Sequence, residues 1–169
     1  MADIAGTSGE SSAGDVAGTA ETIEESGRRI GHHAWLAMRL FETVGGWVPT
    51  VPEPAAKALL AAQSHHHAWH AELWLGLLPA LDHLPQADLV VARAADADLV
   101  DRLAAAEETV ARLAALHQIV LPHLRATYTA HRARTTAVTD GPTVRVLRLV
   151  RADLDEDDRA LAGALASLP

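Results

Sequence analysis

Four histidines fall within six residues, in the run His65-His66-His67-Ala68-Trp69-His70. His66 and His70 are four apart and His67 and His70 three apart, so on a helix each pair shares a face. Two imidazoles at that spacing can reach one metal ion or one polar substrate. The apolar residues Leu59, Leu60, Leu73, Trp74, Leu77 and Leu78 continue the same helical register, so part of the cluster must point into a packed interior. His65 is expected to face solvent, because three consecutive helical residues cannot all face inward. An unpartnered buried polar group costs roughly 2–7 kcal/mol, so the inward histidines require partners elsewhere in the chain.

Three further segments supply candidates. Leu113, His117, Val120, Leu124, Tyr128 and His131 form one helical stripe, and Leu147, Val150, Leu154, Asp157, Leu161 and Leu168 form another in which Asp157 is the sole acid. His32, Trp35, Arg39 and Glu42 share a face nearer the N-terminus, flanked by Met38 and Phe41. Imidazole with carboxylate suits zinc or non-haem iron(II), and the expected ligands of a single ion are Glu42, His66, His67, His70, His131 and Asp157. For chemistry without a metal, His70 and Asp157 form the expected proton-transfer pair, with Arg39 gripping an anionic group. His83, His123, Glu107-Glu108 and, Asp157 apart, the acid run Asp153–Asp158 are assigned to the surface.

Helical periodicity places these residues on four segments. The first runs from about Thr22 to Val44 and is ended by Gly45-Gly46; Trp47 through Pro52 is a connector stiffened by two prolines. The second starts near Glu53-Pro54 and carries the histidine cluster to about Leu78. After a linker over 82–97 with one possible helical turn, the third runs from about Asp98 to Thr136, kinked at Pro122. Thr139-Asp140-Gly141-Pro142 opens a fourth reaching Leu168. No segment alternates with the two-residue period of a strand.

The chain has 169 residues, 49% of them hydrophobic, enough for one domain with its own core. Residues 1–27 hold six acids and no base, which leaves the remainder only slightly acidic out of a total charge of −8. The Gly/Ser/Ala-rich stretch 1–21 is predicted to be a disordered leader and 22–169 a single domain. Without a basic patch the chain lacks what nucleic acid requires. There is no cysteine, which excludes disulfides and thiolate chemistry. No apolar run is long enough to span a bilayer and no signal peptide is recognisable, so a cytoplasmic protein without a membrane partner is expected. Thirteen arginines against one lysine, Lys57, suggest a GC-rich bacterial genome.

The residues bear a family likeness. His67-Ala68-Trp69-His70-Ala71-Glu72-Leu73 resembles the second-helix Glu-x-x-His-Ala-Glu-Leu of the ferritin-like superfamily, with His70 at the metal histidine and His67 where the glutamate stands. The stretch from Asp140 to Asp157 is similar to the start of the family's fourth helix, with Asp153, Leu154 and Asp157 on its Asp-Glu-x-x-His. Arg39 occupies the place of the first-helix glutamate, with Glu42 one turn later, and His131 or Tyr128 lies nearest the third-helix ligand. The likeness spans residues 28–168. It implies an all-α, ferritin-like four-helix bundle, up-down with one longer crossing connection. The family's two-metal centre uses about four carboxylates, most of which are replaced here, so one iron or zinc ion is expected rather than a di-iron pair.

Three readings remain open: a remodelled one-metal site for oxidative or hydrolytic chemistry; a metal-free pocket for a small acid, as in a cofactor-independent isomerase or lyase or a binding protein; and a non-catalytic interaction protein. A small-molecule substrate is the expected partner, and a homodimer is compatible with the sequence.

Overall fold

The computed structural model describes residues 21–136 and 138–167. The acidic leader, apart from Glu21, and Leu168 therefore lie outside the described residues. The architecture is all-α, with no β-strand among the described residues. Helix α1 (Ile23–Trp47) starts at a reciprocal cap: the Thr22 hydroxyl accepts from the Glu25 N–H, and the Glu25 carboxylate accepts from the Thr22 N–H. Helix α2 (Pro54–Leu75) opens on proline, whose missing N–H is not needed in the first turn.

Ser64 donates to the Phe41 carbonyl at 3.1 Å at one end of α1–α2, and Gly27 lies against Pro79 at the other, so the pair is antiparallel. Residues 76–108 cross back along the molecule, carrying a 3₁₀ turn (Gln86–Leu89) and helix α3 (Ala94–Ala104), which packs on α1. Helix α4 (Thr109–Ala115) passes through a π turn (Leu116–Val120) into α5 (Leu121–Arg132), and α6 (Gly141–Ser167) returns antiparallel to both α5 and α2. Leu36, Leu40, Leu60, Trp74, Leu113, Leu124, Tyr128, Leu147 and Leu154 fill the space between, almost free of solvent.

Three sequence expectations need correction. Helix α1 runs through Gly45-Gly46 to Trp47, because neither glycine takes a positive φ. Gly45 instead admits α2: a Cβ there would stand 2.9 Å from Ser64 Oγ. The third helix is not continuous from Asp98. It starts at Ala94, stops at Ala104 and restarts at Thr109, where Arg112 Nε holds the Ala106 carbonyl at 2.9 Å and its guanidinium stacks over Trp47. At Pro122, the preceding π turn bonds the Leu121 N–H to the Leu116 carbonyl and makes room for the ring. That extra residue shifts the buried face: Leu116 takes the inward position, and His117 lies half-exposed, 3.3 Å from Asp158. The α6 stripe of Leu147, Val150, Leu154, Asp157 and Leu161 is buried as expected.

Candidate functional site

The inward histidines form two groups on two helix seams. The first lies between α2 and α6. His66 Nδ1 meets Asp157 Oδ1 at 2.9 Å, and His70 Nε2 meets Asp153 Oδ2 at 2.8 Å. Because the two helices are antiparallel, one turn along α2 answers one turn back along α6, and the contacts form two rungs. The His66 and His70 rings stack at 6.4 Å, and His67 stands edge-on to His70 at 6.1 Å. His67 is fully enclosed, and desolvation, then the neighbouring imidazoles, hold its pKa down to about 3. Burial also lowers His70, against the opposing pull of Asp153, and raises the Asp157 carboxyl. His70 Nδ1 and Asp157 Oδ2 are buried without hydrogen-bond partners.

The second group lies between α1 and α5. His33 Nε2 and His131 Nδ1 are 2.9 Å apart, one donating and the other accepting. Trp74 and Tyr128 wall the pair, with His33 ring separations of 4.7 and 5.2 Å. Burial and the neighbouring positive groups lower both imidazoles, His131 to about 4 and His33 well below the usual range, so both are neutral at pH 7. Burial pushes the Tyr128 hydroxyl up to about 12, leaving it un-ionised. On α3, Asp96 stands between two further imidazoles, 2.8 Å from His32 Nε2 and 2.5 Å from His123 Nε2, close contacts without hydrogen-bond alignment.

The His33–His131 pair borders a cavity of about 400 Å³, which is also lined by His123, Arg29, Arg93, Arg134, Ala126, Thr127 and Ala130. Among the described residues, no carboxylate lines it. Arg29 pairs with Glu21 yet keeps Nη1 buried and unpartnered. The lining is cationic, with forked guanidinium donors beside the neutral His33 and His131 imidazoles.

The expected site is therefore rearranged. His66, His70 and Asp157 do come together, but Asp157 answers His66, and Asp153, assigned above to a solvated face, answers His70. Arg39 and Glu42 are exposed and paired with each other on the outer face of α1, because the neighbouring positions Leu36, Ala37 and Leu40 take the inward face. His131 pairs with His33 instead of joining the α2 cluster. Among the described residues, no three His, Asp or Glu side chains form a group suited to holding a metal ion, so the expected six ligands do not form one donor set. His65 and His83 are exposed as expected, whereas His123 borders the cavity.

Sequence reasoning missed His33, Arg29, Arg93, Arg134 and Asp96 as site residues. Part of the signal was present: Arg29 and His33 are four apart, and His123, Thr127, Ala130, His131 and Arg134 follow helical spacing. Arg93, delivered by the linker before α3, carries no such pattern. No family model matches the chain, and no curated protein or solved structure matches it.

Proposed function

We propose that this chain is a ferritin-like helical scaffold turned to holding a small anionic molecule without a resident metal. The scaffold part rests on the order of the helices: two antiparallel pairs, α1–α2 and α4/α5–α6, joined by the long crossing over residues 76–108. The functional part rests on one observation, a cavity of about 400 Å³ lined by three arginines and a buried histidine pair, with no acid among the described residues of its wall. That volume lies within the usual range of small-molecule sites, about 300–1,000 Å³. The arginines orient an oxyanion, and the neutral imidazoles donate or accept a hydrogen bond beside it. Proton exchange across His33 and His131 is the step by which such a pocket serves a cofactor-independent isomerase or lyase.

Thermal unfolding with a panel of small carboxylates and phosphates tests this. A ligand at 100 times its Kd adds about 2.7 kcal/mol of stability, which should raise Tm saturably for the native chain and much less for Arg93→Ala or Arg134→Ala. Stabilisation by no anion, or stabilisation of both variants as large as that of the native chain, would overturn the proposal.

One observation favours a second reading with a single iron or zinc. On the α2–α6 seam, His66 and His70 each engage an aspartate through one ring nitrogen, the arrangement by which carboxylates orient metal-binding imidazoles. Metal analysis of untagged protein separates the two readings: a stoichiometry near one supports the metal, and trace amounts support the anion pocket.

A further inference from the structure

We infer that the ligand of the arginine-lined cavity carries two negative charges, as a phosphate monoester or a dicarboxylate does. The inference rests on the anion-pocket reading and follows from the charges around the cavity. Of the three guanidiniums, Arg29 already has a counter-ion in Glu21. Arg93 and Arg134 have no ion-pair partner among the described residues, although both line the cavity. Both side chains are exposed, so water screens their mutual repulsion; a dianion nonetheless matches the two guanidiniums in charge, where a single carboxylate matches only one.

The donors have the matching form. Guanidiniums present paired N–H groups in a fixed plane, suited to the two oxygens of a carboxylate or the edge of a phosphate. Arg29 Nη1 and His33 Nδ1, on two of the lining residues, are buried without hydrogen-bond partners. Asp96, which touches the lining residue His123, is also in contact with His32 and is not among the residues that line the cavity. Ala126, Thr127 and Ala130 give a short carbon skeleton a stretch of lining without charge.

Calorimetric titration of the full chain at low ionic strength, with inorganic phosphate, succinate and acetate as probes, decides the matter. The expected result is that phosphate or succinate binds at least tenfold more tightly than acetate. Arg93→Ala and Arg134→Ala should each lower dianion affinity at least tenfold, towards that of acetate. Arg134→Lys, which keeps the charge but loses the fork, should fall between. Preference for phosphate over succinate identifies a phosphate group, and the reverse a dicarboxylate. Acetate binding as tightly as both dianions would overturn the inference while leaving the anion pocket intact. If none of the three probes binds, both fail.

Discussion

Lowering the pH from 7 to 5 should destabilise the fold through its buried imidazoles, and His67 and His131 allow the size to be worked out. Their folded pKa values are about 3 and about 4, against about 6.5 in the unfolded chain. A base whose pKa is depressed by folding contributes full stability above the unfolded value. Below it, the unfolded chain takes up a proton that the native state refuses, and stability falls until the folded pKa is reached. At about 1.36 kcal/mol per pKa unit, the descent to pH 5 costs about 2 kcal/mol for each group, or about 4 kcal/mol together. His33 and His70, also lowered by burial, add in the same direction. Asp157 opposes them: its carboxyl is raised by burial, so it favours the native state as pH falls through its folded value. Against a total stability of about 5–15 kcal/mol, the net loss is large. Urea unfolding followed by helical circular dichroism at pH 7, 6 and 5 measures it, and His67→Leu should remove about 2 kcal/mol of the dependence. Coincident midpoints at pH 7 and 5, or a pH dependence unchanged in His67→Leu, would refute the burial on which the reasoning stands.

Two further contrasts probe the packing. A Cβ on Gly31 would stand 2.1 Å from the Leu89 carbonyl oxygen, whereas Gly46 has nothing within 4 Å. Gly31→Ala should therefore cost about 1–3 kcal/mol by forcing the crossing segment off α1, while Gly46→Ala should stabilise by about 0.5–1 kcal/mol; thermal melts that rank the two the other way would contradict the placement of residues 86–89. His70→Ala opens a cavity and strands Asp153, for an expected loss of about 2–4 kcal/mol, and His65→Ala on the outer side of the same turn should stay within about 0.5 kcal/mol. Equal unfolding midpoints for these two variants would mean that the cluster does not face inward.

The parts of this molecule legible in the sequence are those set by local rules. Thr22 and Glu25 mark the start of α1, Pro54 that of α2, and Gly141-Pro142 that of α6, because capping and proline geometry act within one turn. The inward position of Asp157 followed from the spacing of Leu147, Val150, Leu154 and Leu161. The break between Ala104 and Thr109 was hidden because no glycine or proline marks it; contacts from Arg112 to Trp47 and Ala106 hold that corner. His32 and His33 are consecutive yet both buried, since α1 is covered by α3 on one side and α5 on another. A single-stripe reading of the helix misses that. The cavity was least legible of all. Its arginines come from α1, the linker before α3 and the end of α5, and only the tertiary fold brings Arg29, Arg93 and Arg134 to one wall.

The central claim is that an anion binds beside His33 and His131. Imidazole ¹⁵N and ¹H resonances, assigned through single His→Gln variants, report this directly during a titration with phosphate or succinate at pH 7. The account predicts saturable shifts at His33, His131 and His123, with exposed His65 and His83 unmoved. Shifts confined to His65 and His83, or to His66 and His70 on the other seam, would contradict it.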